Sequence, residues 1–139
     1  MEQQDYLKKQ IDQLGKVLGE LLSKIIGLSN SGQSNYGIKI ANLALKKELD
    51  IDIDKLIEIP KEKFIETLQK NGELNNINLE KLADILFEIA NGLLQNDKDS
   101  SIGKGLFERL LIIYEYIDKS GLTFSFERHS KVERINSTL

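Results

Sequence analysis

From Asp5 to Leu28 apolar side chains return at three- and four-residue steps: Tyr6, Leu7, Ile11, Leu14, Val17, Leu18, Leu21, Leu22, Ile25, Ile26 and Leu28. That spacing predicts an amphipathic helix, since about 100° per residue gathers such positions on one side. The apolar arc covers roughly 200°, with Lys9, Asp12, Lys16 and Glu20 opposite it, which is wider than one packing neighbour can cover. Such a helix either lies centrally against two or more others or turns part of its stripe towards another molecule. Gly27 and the run Ser29-Asn30-Ser31-Gly32 predict its end, through a left-handed cap and a polar turn.

A second helix is expected over Ser34 to Leu49, carrying Ile40, Leu43, Ala44 and Leu45, and the short link to the first predicts an antiparallel hairpin. Leu49-Asp50-Ile51-Asp52-Ile53-Asp54 alternates with the period of a strand but is too isolated to make a sheet. It reads as an extended connector, with Asp54 capping a short turn through Leu56 and Ile57. Pro60 suits the first position of a third helix running to Lys70 and facing inward through Phe64, Ile65 and Leu68. Asn71-Gly72 stops it. Asn78 is then read as the cap of a fourth helix, Leu79 to Gln95, with Glu80 and Lys81 on its solvent side. Ser100 or Ser101 caps a fifth, ending near Ser120-Gly121, and Thr123 or Ser125 a last one reaching Asn136. The class expected is all-α, a single domain over residues 1–139, with five or six helices in antiparallel hairpins, arranged as a helical array or bundle.

Composition narrows the chemistry. The 139 residues include no cysteine and one histidine, which excludes disulfides, thiolate metal sites and a cysteine nucleophile. A net charge of −3 leaves no overall basic field for nucleic acid or an anionic membrane. The start, Met1 to Lys9, has no apolar signal region, so a cytoplasmic location is expected, and no cofactor is implied.

Ile11-x-x-Leu14-Gly15-x-x-Leu18 resembles the first helix of a tetratricopeptide repeat, with Ile11 in the usual Trp position, the Leu-Gly pair intact and Leu18 in place of Tyr. Leu82-x-x-Ile85-Leu86-x-x-Ile89 is a second echo without the glycine, and lies about two repeats of roughly 34 residues further on. Asp5-Tyr6-Leu7-x-x-x-Ile11-x-x-Leu14 and the closing Phe124-Ser125-Phe126-Glu127-Arg128 also resemble a family of short bacterial proteins of unknown function. That resemblance implies an all-helical fold and a bacterial source, and it carries no catalytic residues across.

Several constellations suggest chemistry and stop short of it. Asp50, Asp52 and Asp54 have the opening spacing of an EF-hand calcium loop, but Lys55 and Lys61 occupy its glycine and bidentate glutamate positions, which favours a charged connector. Gly103-Lys104-Gly105 near a helix start lacks the earlier glycine, the following Ser or Thr and the preceding strand of a phosphate loop, so close helix packing is expected there. His129 with Glu133, and the nearby Ser125 and Ser130, form neither a three-ligand metal site nor a triad. Arg128, Lys131 and Arg134 beside Phe124 and Phe126 have the interleaving of a nucleic-acid surface, diluted by Glu127 and Glu133; aromatics at this spacing more commonly dock a terminal helix onto a core. Gly15-x-x-x-Gly19 is interrupted by Lys16 and reads as a site of close helix approach.

The remaining signal is the heptad-like seam Leu7, Ile11, Leu14, Leu18, Leu21 and Ile25, continued by Leu28, which suits either a bundle core or self-association through the first helix. The function expected is therefore a non-enzymatic scaffold or adaptor for protein–protein interaction, with this seam as its candidate surface and a protein partner or a second copy as occupant. Neither nucleic acid nor a membrane is expected to bind. The rival expectation is a small-ligand-binding or enzymatic bundle with a carboxylate and tyrosine site, for instance Glu108, Tyr114, Glu115 and Tyr116 on the fifth helix.

Overall fold

The opening helix, α1, runs over Glu2–Asn30 in the computed structural model, which describes residues 2–121 and 123–139, and side chains from residue 4 onward. It continues straight through Gly27, and the left-handed residue of the turn is Gly32, with φ of +80°. A glycine inside a helix costs only about 1 kcal/mol against alanine. Buried Ile25 before it and half-buried Leu28 after it, both in contact range of Gly37, offset that cost. The turn hands the chain to α2, Ser34–Leu49, which packs back on α1 through Gly37, Ala41 and Leu45. Asp50 ends α2 in the left-handed conformation, φ 55°, with its carboxylate 2.8 Å from the Lys46 ammonium one turn earlier.

The alternating stretch makes no strand: Asp52 is extended, and the chain then winds into one helical turn, α3, Ile53–Leu56. The turn starts from Asp52, whose carbonyl accepts from the Lys55 and Leu56 amides, and not from Asp54 as the sequence suggests. Within this turn Ile53 and Leu56, three residues apart, are buried while Asp54 and Lys55 stay in water. The helix expected over Pro60–Lys70 is broken: Pro60 lies just before a 3-10 turn, Lys61–Lys63, and α4 covers only Phe64–Leu68. So short a segment cannot hold a continuous helix by its own hydrogen bonding. It is set by burial of Phe64 and Leu68, while Gln69 donates to the Leu74 carbonyl beyond the Asn71-Gly72 turn.

The central element is α5, Asn76–Asn96, which packs against α1, α2 and α6. Its cap is Asn75, accepting from the Asn78 amide at 2.9 Å. Asn78 therefore does not cap the helix, and Glu80 and Lys81, expected in solvent, are half-buried and bonded to other helices. Ser100 caps α6, Ser101–Lys119, and Ser125 caps α7, Phe126–Thr138. Gly103 and Gly105 sit under Leu94 and Ile57, where an added Cβ would come within 2.8 Å of side-chain carbon. Here the glycines serve packing.

Among the described residues the chain is all-helical, without strands, and it has seven helices where five or six were expected, two of them in the connector after α2. Buried side chains from Leu14 to Ile135 form one cluster, in which α5 supplies Leu79, Leu82, Ile85, Leu86 and Ile89.

Candidate functional site

Four of the six seam residues, Leu14, Leu18, Leu21 and Ile25, belong to the internal core, Ile11 is half-buried, and only Leu7 is exposed. Two neighbours cover the wide arc, α2 on one flank and α5 on the other. The α5 side is fastened by polar bonds. Asn78, 2% exposed, donates from Nδ2 to the carbonyls of Ile11 and Glu73, and Lys81 donates to the Gly15 carbonyl at 3.2 Å. Close approach is needed at Gly15, whose Cβ would stand 2.8 Å from Asn78 Oδ1, while nothing lies within 4 Å at Gly19. Tyr6, Leu7 and Ile26 are left facing outward on α1.

The densest polar cluster joins α5, α6 and α7. Glu80, Asp84 and Glu88 follow one another at single-turn steps on α5, and α7 sets Arg128 and Lys131 against them. Arg128, read from sequence as part of a basic surface, is 3% exposed. It donates from Nη1 to Glu80 and from Nε to Asp118, each at 2.6 Å, and from Nη2 to the Thr123 carbonyl. Burial works against its charge, but the hydrogen bonds and attraction of Glu80 and Asp118 more than offset that, and the guanidinium is held above its ordinary range. Lys131 lies 3.7 Å from Asp84 and over the Phe87 ring, and Arg134 donates to Asn91. These contacts tie side chains of α7 to α5, while α7 itself packs on α6. A cleft of about 180 Å³ remains, lined by Ile77, Glu80, Lys81, Asp84, Arg128 and Lys131 among others.

Burial raises the Asp84 carboxyl above its usual value, with Lys131 and the Tyr114 hydroxyl drawing it partly back. Glu88 is raised by burial as well. Tyr114 donates to Asp84 at 2.8 Å, and its own ionisation is pushed far upward, first by burial and then by the Asp84 charge. The hydroxyl therefore stays protonated, a hydrogen-bond donor and not a base. The other members of the suggested carboxylate and tyrosine site point elsewhere: Tyr116 to Gln69, Glu108 to Lys61 and Glu115 to Lys119. Glu108 and Glu115 share one side of α6 two turns apart and the two tyrosines turn to either side of it, so the four do not converge.

At the other constellations the partners are also local. Lys46 pairs with Asp50 and Asp52, and Lys55 with Asp52, so ammonium groups already occupy two of the three carboxylates of the calcium-like spacing. They stand on the rim of a partly apolar pocket of about 350 Å³ floored by Leu56, Leu68 and Leu74. Among the described residues no three His, Asp or Glu side chains come together to hold a metal ion. The first free amides of α6 are engaged by Ser100, which accepts from Gly103 N at 3.1 Å. His129 is exposed and pairs with Glu133 at 3.0 Å. Phe124 and Phe126, where core docking was the commoner expectation, are exposed instead and pack edge to face on each other, with rings 5.3 Å apart.

One surface was missed from sequence. On α2, Tyr36 is 54% and Leu43 68% exposed, and half-buried Ile40 lies between them. The signal was present: at about 100° per residue Tyr36 and Leu43 fall opposite Ala41 and Leu45, with Ile40 turned towards the core side. Comparison with known proteins finds no family model that matches the chain, no curated protein similar to it and no matching solved structure. No helix among the described residues is long and apolar enough to cross a membrane.

Proposed function

We propose that the chain is a non-enzymatic helical scaffold that binds a protein partner in the cytoplasm, and the observation that carries this is the outward apolar stripe of α2. Tyr36 and Leu43 are exposed on a helix anchored by Gly37, Ala41 and Leu45, with half-buried Ile40 between them packed on the core, so the two side chains are held in place without a partner. Large apolar side chains presented on a rigid element characterise protein-binding surfaces. The tetratricopeptide-like reading is part of the proposal: the hairpins α1–α2 and α5–α6 stack with α5 against both helices of the first, which is the contact order such repeats use. With the seam from Leu14 to Ile25 inside the core, self-association through α1 would use Tyr6 and Leu7.

A selection of helical peptides from a random library against the purified chain tests the reading. Binders that lose affinity for Leu43→Glu, with the circular dichroism unchanged, are expected. A selection that yields no binders, or only binders indifferent to α2, rules it out.

A second reading has one specific support. Asp84, held from below by Tyr114, lines the cleft beside α7 with Glu80 and Glu127, so a small ligand carrying a hydrogen-bonding cation has a seat there. Ligand-induced shifts in the NMR signals of Asp84 and Lys131 would favour it.

A further inference from the structure

Among the asparagines of the chain, Asn71 and Asn91 alone stand directly before a glycine. We infer that the Asn71-Gly72 turn is a site of spontaneous deamidation and isoaspartate formation, which the fold leaves open there and closes at Asn91-Gly92, a property independent of the scaffold role. The chemistry needs a main-chain nitrogen outside any hydrogen bond, room around it, and a carboxamide turned towards it. The Gly72 N–H has no acceptor among the described residues, and nothing lies within 4 Å of a Cβ placed on Gly72. Glycine brings no side chain of its own to shield the nitrogen. The Glu73 N–H donates to Asn71 Oδ1 at 2.9 Å and the Leu74 N–H to the Asn71 carbonyl at 3.0 Å, which folds the carboxamide back over Gly72. The bond from Glu73 also draws electrons towards Oδ1, so Cγ is more electrophilic and the oxygen that gains charge during attack already has a donor.

At Asn91 these conditions fail. Both residues lie inside α5, where the helical ladder takes the Gly92 N–H. Gly92 is buried with its Cβ position 3.0 Å from Ile38, and Arg134 donates to Asn91 Oδ1. A ring between Asn91 and Gly92 can close only after α5 opens locally.

The Gly72 nitrogen, having lost its proton to water or hydroxide, bonds to Asn71 Cγ. The bond from Cγ to the side-chain nitrogen breaks, and ammonia leaves with a proton. Water then opens the succinimide. Addition at Cγ breaks the new bond and gives aspartate; addition at the main-chain carbon breaks the original peptide link and routes the chain through the side chain. The sum is carboxamide plus water giving carboxylate plus ammonium, with no oxidant, reductant or enzyme. Either product adds a carboxylate to the lining of the pocket of about 350 Å³ already edged by Asp50 and Asp52, so the pocket becomes more acidic as the protein ages. The isoaspartyl product also lengthens the main chain in the turn that leads to buried Leu74 and to Asn75, the cap of α5.

The purified chain is incubated at mildly alkaline pH, natively and in urea, and peptide maps are followed by mass spectrometry with synthetic peptides of both isomers as standards. In the native chain Asn71 should convert about tenfold or more faster than Asn91, because Asn91 waits for α5 to open. The rate should rise with pH, since the nitrogen attacks as its anion. In urea the two sites should react alike. Gly72→Ala should slow conversion at Asn71 severalfold with the circular dichroism unchanged, since Gly72 lies outside the left-handed region and has open space at its Cβ. Equal native rates at the two sites, or conversion at Asn71 seen only in urea, overturns the inference. So does an unchanged rate in Gly72→Ala, which would mean direct hydrolysis of the carboxamide without a ring.

Discussion

Asn78 lies in the middle of a polar run, Asn75-Asn76-Ile77-Asn78, any asparagine of which can cap a helix. The structure uses the first as the cap and buries the last, where two carbonyls from different segments accept from its amide. Removing it takes the donor from the Glu73 carbonyl and a second donor from the Ile11 carbonyl, and leaves a gap where Asn78 was 2% exposed. Asn78→Ala should lower the unfolding free energy by about 2 kcal/mol, read from urea denaturation, whereas Asn76→Ala should change it far less. Asp84 makes a pH prediction. Because burial raises its folded-state pKa above the unfolded value, the folded chain binds the extra proton, and this group's contribution to stability falls as pH rises through the window between the two values. Wild type should therefore gain stability relative to Asp84→Asn as pH is lowered from neutrality towards 4, provided both are measured in the same buffer series. A difference that stays constant or moves the other way would show that the Lys131 pair, and not burial, governs the carboxylate.

At the scale of elements, the contrast is between α5, which is wrapped by its neighbours, and α7, which buries only Arg128 and Ile135. The last helix is held by one aliphatic side chain, a half-buried Val132 and an ionic seam. Ile135→Ala should cost about 3 kcal/mol, and amide hydrogen exchange should show α7 opening well before α5 in that variant. Sequence periodicity located α1, α2, α5, α6 and α7 because each is long enough for several apolar returns on one face. Between residues 50 and 75 it was right only in part: Phe64 and Leu68 are buried one turn apart as expected, but one apolar return each for Ile53–Leu56 and Phe64–Leu68 is too short a pattern to fix where the helical turns begin and end. Sequence grouped Arg128 with Lys131 and Arg134 as one basic stretch, yet only Arg128 is buried; a local pattern on α7 contains no record of Glu80 on α5 or Asp118 on α6.

For the molecule as a whole, the heptad seam of α1 has two meanings that differ only in what stands opposite it. Here α2 and α5 stand opposite it, so Leu18, fully buried, is a core residue. Leu18→Ala should destabilise the chain by roughly 3–4 kcal/mol and leave its mass by light scattering unchanged; a loss of self-association at constant stability would instead make the seam an interface. The calcium-like aspartates belong to the same scale, because Lys46 reaches across to Asp52 from another element. Calcium should not raise the melting temperature, and Lys46→Ala, which frees Asp50 but leaves Asp52 with Lys55, should not create a calcium-dependent rise either.

The chain alone determined that it is helical and where the long helices run, because 3.6-residue periodicity is a local property that each segment carries in its own order of residues. It also specified the outer stripe of α2, which periodicity contains even where it was overlooked. Which polar groups are buried, which cap is used, and whether an apolar face looks inward or out were decided only in three dimensions. These depend on the partner that another segment brings to within hydrogen-bonding or van der Waals distance, and for Arg128, Asn78 and the α1 seam those partners lie far away in sequence.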